Sequence, residues 1–152
     1  MSVEFTDNTM RVREQMAAAV HSFLYEAGGE LQSQVIRNSR TDTGQTKGSY
    51  KYVVDKGTNE ATVYVGSELD NAIWEEFGTG EYALNGDGRK GGWYIPEARL
   101  SAKAKSRMKK VIVKGKVYYY TKGKKPNRPI YNAFNSMKDR LKKRLQEVQN
   151  QM

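Results

Sequence analysis

The sequence lacks several residue types on which common active sites and metal sites depend. It contains no cysteine and a single histidine, His21. The missing cysteine excludes a disulfide framework and a thiolate zinc site. With one histidine and no G-x-S-x-G sequence, the usual pairs of nucleophile and base are missing too. We therefore expect no enzyme activity, no catalytic residues, no metal ligands and no cofactor.

Long apolar runs are also missing. No stretch approaches the roughly 18 apolar residues of a membrane span, and the segment Met1–Phe5 does not resemble a signal peptide. Hydrophobic residues make up only 38% of the 152 residues, and charged residues make up 28%. This composition predicts a single domain over residues 1–152 with a modest core. It suits a protomer that is completed by assembly, away from membranes.

Charge is abundant but unevenly distributed. Residues 1–88 carry 7 basic and 14 acidic side chains, whereas residues 89–128 carry 14 basic and 1 acidic side chain. A chain with an acidic half and a basic block is able to associate head to tail through complementary potentials. The same block is equally suited to nucleic-acid phosphates. Charge alone does not choose between these two partners.

Two helices frame the predicted fold. Apolar residues recur every three or four positions from Met10 to Asn38 and again from Pro129 to about Gln149, which is the spacing of one helical face. Proline suits the first position of the second helix. Gly28 and Gly29 interrupt the first stripe and indicate a kink or a close crossing.

Short alternating segments between the helices predict strands. We expect a β-hairpin from Tyr50–Asp55 and Glu60–Gly66 that packs on the first helix. A strand at Trp93–Ile95 and a second hairpin from Val111–Val113 and Lys116–Thr121 follow. The predicted class is α+β, with a long N-terminal helix and a C-terminal helix packed on a mostly antiparallel sheet, and with long projecting loops.

Two intervening stretches are predicted to be irregular. Gly78–Gly92 contains six glycines in fifteen residues, which favours a flexible loop. Its G-x-G-x-x-G match at residues 86–91 lacks the preceding strand and following helix that dinucleotide binding requires. Residues 97–114 form a basic insertion, in which Glu97–Lys110 is either a short basic helix or a mobile arm.

The stretch Ile73–Gly80 reads as one helical turn closed by glycines. Trp74 and Phe77 are three residues apart, so they share a face, and we expect this pair to close one end of the core. Glu75 and Glu76 then lie on a solvated face. Adjacent residues on a helical turn point apart, which argues against a catalytic carboxylate pair.

Three short motifs carry a resemblance to a known family. In order they are Thr43-Gly44, then Glu76-Phe77-Gly78-Thr79-Gly80, and then the stretch from Thr121 to Ile130 that reads TKGKKPNRPI. Their order and spacing resemble the neck and tail-completion proteins of long-tailed (siphophage-type) bacteriophages, which are minor tail or head–tail joining proteins. The resemblance covers roughly residues 9–150.

The resemblance implies a structural virion component that is assembled in the host cytoplasm. It implies a homo-oligomeric ring, a hexamer, at the head–tail junction, with neighbouring neck and tail proteins as partners. DNA would contact the lumen only transiently. The alternative is a nucleic-acid-binding module that uses the basic block 89–128 together with its aromatic residues.

Two sets of residues are expected to serve assembly. The interface set consists of Trp74, Glu75, Glu76, Phe77, Gly78, Thr79, Gly80, Arg89, Lys90, Trp93 and Tyr94. The basic set, which faces a lumen or DNA, consists of Arg99, Lys103, Lys105, Arg107, Lys109 and Lys110.

Overall fold

The structure, a computed structural model, describes residues 2–152, so that Met1 of the predicted domain lies outside the described residues. The α+β class is confirmed: two long helices accompany two small antiparallel sheets. The helices are α1 (Thr9–Asn38), α2 (Gln45–Ser49), α3 (Asp70–Phe77), α4 (Ala102–Lys105) and α5 (Pro129–Asn150). The strands are β1 (Lys51–Lys56), β2 (Ala61–Gly66), β3 (Trp93–Pro96), β4 (Lys109–Val113) and β5 (Lys116–Thr121).

Helix α1 packs against the β1–β2 hairpin, as predicted, and Gly28 is the reason that it lies so close. A Cβ atom placed on Gly28 would lie 2.3 Å from the ring of Tyr52 and 2.9 Å from Val63. The same atom on Gly29 would lie 4.0 Å from that ring, which is ordinary contact. The expected close crossing is therefore a contact of Gly28 with the hairpin.

Helix α5 runs antiparallel to α1 along another side. Arg144 forms ion pairs with Glu30 and Glu26, and Arg140 forms one with Glu30, at N–O distances of 2.6 to 3.1 Å. At the other end of the pair, the Asn38 side chain donates to the Pro129 carbonyl oxygen at 3.3 Å. Val35, Tyr50, Ala72 and Ala133 form a buried cluster near this end.

The second sheet has the order β3-β5-β4. The tyrosine run of β5 alternates between its two faces, because successive side chains of a strand point to opposite sides. Tyr119 is buried, and Tyr120 lies beside Tyr94 of β3 with ring centroids 5.3 Å apart. The expected β4–β5 hairpin is present, and β3 joins it by pairing with β5.

The number of sheets, the packing of α5 and the polar link after α1 differ from the expectations. The strands belong to two sheets instead of one, and α5 packs mainly on α1. The polar link after α1 contains the short helix α2. In the basic stretch Glu97–Lys110, the short basic helix that was one of the two expected alternatives is present as α4, between one turn of 3₁₀ helix and the start of β4. Ser101 is the N-cap of α4, and its hydroxyl oxygen accepts a hydrogen bond from the N–H of Ala104 at 3.1 Å.

Candidate assembly site

Helix α3 buries the face that its sequence predicts to be in solvent. Glu75 and Glu76 are 2% and 8% exposed, whereas Trp74 and Phe77 are 49% and 43% exposed. The prediction that the aromatic pair closes the core and that the two glutamates are solvated is therefore wrong. The physical reason is that both carboxylates have specific partners inside the molecule, which outweigh the cost of burying them.

Glu75 lies between two cations from distant parts of the chain. Its carboxylate accepts a hydrogen bond from the Nε–H of Arg40 at 3.0 Å and forms an ion pair with Lys124. Burial alone would raise the pKa of Glu75, but the hydrogen bonds and positive charges of Lys124 and Arg40 outweigh it and hold the pKa below its ordinary value. Glu75 is thus ionised at neutral pH.

Glu76 caps the first turn of α5. Its two carboxylate oxygens accept the N–H groups of Ile130 and Tyr131 at 2.9 and 3.0 Å. These N–H groups have no partner within the helix, and a negative charge is favourable at a helix N-terminus. Arg128, which occupies the N-cap position, supplies no side-chain cap. The cap comes instead from a residue more than fifty positions earlier in the chain.

The backbone on both sides of these carboxylates is also joined. The N–H of Thr79 donates to the Lys124 carbonyl oxygen at 2.9 Å, and the N–H of Lys124 donates to the Thr79 hydroxyl oxygen at 2.9 Å. The N–H groups of Asn127 and Arg128 donate to the Glu75 carbonyl oxygen at 2.8 and 3.2 Å. We call this arrangement of residues 75–80 and 122–131 the clasp.

Glycine is required where the two halves of the clasp touch. A Cβ atom on Gly80 would lie 2.2 Å from the Lys122 carbonyl oxygen, and one on Gly123 would lie 2.0 Å from the Thr79 carbonyl oxygen. Both glycines also have positive φ angles, +63° and +119°, which side chains disfavour. The beginning of the predicted flexible loop is therefore bonded to the clasp, and mobility of the remainder stays a prediction.

An open cleft of about 550 Å³ lies beside the clasp. We call it the tryptophan cleft, because Trp74 and Trp93 both line it. Lys103 and Arg107 of the predicted basic set line it as well. Lys103 donates to the Thr41 carbonyl oxygen, and Ser101 donates to the Asp42 carboxylate at 2.9 Å, so α4 is tied to the link after α1.

A second open cleft lies against the outer face of the β3-β5-β4 sheet. We call it the tyrosine cleft, since Tyr94 and Tyr120 line it together with Arg89, Trp93 and Lys109. The guanidinium of Arg89 lies 5.5 Å from the centroid of the Trp93 ring, within range of a cation–π contact. Cations and aromatic rings are therefore interleaved on this face.

The structure divides the predicted interface set into two groups. Glu75, Glu76, Gly78 and Gly80 are buried in the clasp and hold the chain together. Thr79 is half-buried and serves both the clasp and the tryptophan cleft. Of the remaining members, Trp74 and Phe77 are exposed on α3, and Arg89, Trp93 and Tyr94 line the tyrosine cleft. Lys90 is exposed and lines neither cleft.

The predicted basic set does not form a single face. Lys103 and Arg107 line the tryptophan cleft, whereas Lys109 lines the tyrosine cleft. Lys110, the next residue on β4, points to the other side of the sheet. Lys105 forms an ion pair with Glu97 at 3.5 Å. Arg99 is exposed at the end of the 3₁₀ turn that precedes α4.

Sequence reasoning missed the partners of the buried carboxylates, Arg40 and Lys124. One signal for Glu76 was present, because α5 starts at Pro129 without a Ser, Thr, Asp or Asn before it. A helix start without a local cap requires one from elsewhere. No comparable local signal identifies the partners of Glu75.

Two absences are observed within residues 2–152. No group of three or more His, Asp or Glu side chains lies close enough to hold a metal ion. In the same part of the chain, no helix has both the length and the apolar character needed to span a membrane.

No family model matches the chain, and neither a search of curated proteins nor a search of solved structures finds a match.

Proposed function

We propose that this protein is a structural component of a phage neck, a tail-completion or head–tail joining protein that assembles as a homo-oligomeric ring. The observation that carries the proposal is the clasp. Two of the three motifs on which the family resemblance rests, Glu76–Gly80 and Thr121–Ile130, are more than forty residues apart in sequence, yet they bind each other through backbone, hydroxyl and carboxylate hydrogen bonds. They therefore act as one structural unit.

The clasp explains why these motif residues are needed in such a protein. It fixes α3, the start of α5 and one end of the β3-β5-β4 sheet relative to each other. In doing so it exposes Trp74 and Phe77 instead of burying them. Large exposed apolar side chains on a soluble chain are typical of surfaces that contact other proteins.

The basic residues support a role in assembly in a particular way. They are spread over two clefts and two faces of a sheet, which suits contacts with several acidic neighbours around a ring. The acidic residues 1–88 of an adjacent copy provide such a neighbour. In the ring, the basic residues that face the lumen would tolerate passing DNA.

One observation favours the second candidate, a nucleic-acid-binding module. In the tyrosine cleft, Arg89 and Lys109 accompany Trp93, Tyr94 and Tyr120. Aromatic rings on which bases stack, beside cations for phosphates, are what single-strand binding requires. This candidate predicts strong DNA binding by the isolated chain, whereas the neck proposal predicts weak binding.

The test is reconstitution of head–tail joining. If the proposal is correct, phage particles made without this protein accumulate as separate heads and tails, and adding the purified chain joins them. The variant Lys109→Glu with Lys110→Glu should join fewer particles, while Lys142→Glu with Lys143→Glu on α5 serves as a matched charge control. Full joining without the protein would overturn the proposal.

A further inference from the structure

The tryptophan cleft has a half-buried apolar lining. This lining consists of Trp93, Ile95, Leu100 and Met108, and the exposed Trp74 lines the cleft as well. Half-buried apolar side chains still contact water, and a ligand that covers them removes this apolar area from water at a gain in free energy. The cleft therefore suits a ligand that carries a large apolar side chain.

Positive charge predominates around this apolar lining. Five cationic and two anionic side chains line the cleft, which leaves an excess of three positive charges. They are Arg40, Lys47, Lys103, Arg107 and Lys124 against Asp42 and Glu75. Glu75 is already paired with Arg40 and Lys124, so it does not neutralise the other three cations.

These three cations have no anionic partner of their own. Within residues 2–152, Lys47, Lys103 and Arg107 form no ion pair with any carboxylate. The amine of Lys103 donates to the carbonyl oxygen of Thr41, which is a neutral acceptor. Cations that lie unpaired beside an apolar lining attract a ligand that carries carboxylates as well as an apolar side chain.

The walls of the cleft are held in place by bonds within the chain. The clasp joins Thr79 to Lys124 by two hydrogen bonds of 2.9 Å. On the other side, the Ser101 hydroxyl donates to the Asp42 carboxylate at 2.9 Å and joins α4 to the link after α1. A ligand therefore does not have to order the site, which lowers the cost of binding. The volume of about 550 Å³ suits a short segment of chain.

The apolar lining favours a peptide over a nucleic acid. Three of its four half-buried members, Ile95, Leu100 and Met108, are aliphatic and give no flat ring on which a base stacks. The fourth, Trp93, lies against the clasp, since a Cβ atom on Gly80 would lie 2.8 Å from its ring. The stacked rings of this protein belong to the tyrosine cleft instead.

The chain's own acidic segment matches the cleft poorly. Glu4-Phe5-Thr6-Asp7 places an exposed aromatic ring between two carboxylates. The Asp7 carboxylate, however, accepts hydrogen bonds from the N–H and the hydroxyl of Thr9 at 2.9 and 2.6 Å. One free carboxylate then remains for three unpaired cations. An acidic segment of a different protein is the better match.

We propose that the tryptophan cleft binds an acidic peptide segment of another protein, in which a large apolar side chain lies between carboxylates. The apolar side chain covers the half-buried lining, and the carboxylates pair with Lys47, Lys103 and Arg107. The inference goes beyond the proposed function and does not depend on ring formation, because the site lies within one copy of the chain.

The test uses the tryptophans of the cleft as reporters. Trp74 and Trp93 are the only two tryptophans of the chain, and both line the cleft. Titration of the full chain with the capped peptide Ser-Glu-Glu-Leu-Glu-Glu-Ser should change their emission in a saturable way. Replacement of the glutamates by glutamine, or of the leucine by serine, should weaken binding at least about tenfold. Equal binding of the glutamine peptide, or neither an emission change nor a calorimetric signal at about 1 mM peptide, would overturn the inference.

A pair of charge variants locates the binding site. Lys47→Glu with Arg107→Glu, the cleft variant, should bind the glutamate peptide at least about tenfold more weakly than the wild-type chain. Lys142→Glu with Lys143→Glu makes the same charge change at exposed positions of α5 outside the cleft and should bind normally. Equal affinities of the two variants, both folded by circular dichroism, would overturn the inference. Arg107→Gln, a single change at an exposed position, should lose about threefold, and an unchanged affinity would also overturn it.

Two competitors distinguish the other occupants. Single-stranded oligothymidine that binds more tightly than the peptide, and loses its affinity in the cleft variant, would assign the cleft to nucleic acid and overturn the inference. An excess of the cleft variant retains the acidic residues of this chain without the basic cleft. Displacement of the peptide from the wild-type chain by that excess would assign the cleft to a second copy and overturn the inference too. Reconstitution of head–tail joining tests the proposed function separately, so failure of one is distinguishable from failure of the other.

Discussion

Removal of the Glu75 charge should weaken the fold more than any other single charge change in α3. The carboxylate is 2% exposed and accepts hydrogen bonds from the Arg40 backbone N–H at 3.3 Å, from Arg40 Nε at 3.0 Å and from Lys124. Hydrogen bonds to a charged group contribute about 1.5–3 kcal/mol each.

The stability lost with the Glu75 charge should be smaller than the sum of these hydrogen-bond contributions. The side chains of Arg40 and Lys124 are 42% and 47% exposed, so both cations regain water when the carboxylate is lost. We expect Glu75→Gln to lower the free energy of unfolding by about 2–3 kcal/mol. The control is Glu68→Gln, which removes the same charge from an exposed position and should cost less than about 0.5 kcal/mol.

The two cations should not act additively. Arg40→Met or Lys124→Met alone leaves Glu75 with one positive partner, whereas the double variant leaves a buried carboxylate without one. Such an uncompensated charge costs about 3–5 kcal/mol. The double variant should therefore lose more stability than the two single variants combined, which a double-mutant cycle measures directly.

The stability that ionised Glu75 contributes should depend on pH in a definite direction. Because the pKa of folded Glu75 lies below its ordinary value of 4.5, its contribution is present above that pH and is lost as the pH falls through the folded pKa. The deficit of Glu75→Gln relative to the wild-type chain should shrink as the pH falls below about 4.5. Urea unfolding followed by circular dichroism is the assay. A loss below about 1 kcal/mol at pH 7, or one equal to that of Glu68→Gln, would refute the reasoning.

Three further predictions concern packing and mobility. Gly28→Ala should destabilise the chain by about 1–3 kcal/mol because the added methyl group would overlap the Tyr52 ring. Gly29→Ala should stabilise the chain by up to about 1 kcal/mol through helix propensity. A change of the same sign in the free energy of unfolding of both variants would contradict the packing. Trp74→Ala should cost about 1–2 kcal/mol, since half of the side chain is already in water, and a loss above about 3 kcal/mol would place it in the core. In hydrogen exchange of the isolated chain, residues 87–90 should exchange quickly and become protected on assembly, and strong protection in a verified monomer would refute this.

The sequence predicts the helices and hairpins well, because the burial of each of their residues follows from local periodicity. The stripes of α1 and α5 recur every three or four residues, and β2 alternates apolar and polar side chains, so these elements and the hairpins were predicted close to their observed bounds. The close approach at Gly28 was also predictable, since a glycine in a helical stripe needs a packing reason.

The orientation of α3 was not predictable in this way. Its local pattern favoured burial of Trp74 and Phe77, but Arg40, Lys124 and the start of α5 determine which face points inward. These partners are 35 to 55 positions away in sequence. Periodicity describes one element at a time, so it does not reveal two carboxylates whose partners lie in three distant segments of the chain.

The central claim, that the chain works by assembling with copies of itself, is tested most directly by its mass in solution. Sedimentation equilibrium of the full chain should show a concentration-dependent oligomer that weakens as salt rises, because the Debye length is only about 8 Å at physiological ionic strength. Added DNA should bind weakly. A chain that stays monomeric and forms a tight DNA complex, with an affinity that falls steeply with salt, would contradict the account and favour the nucleic-acid-binding module.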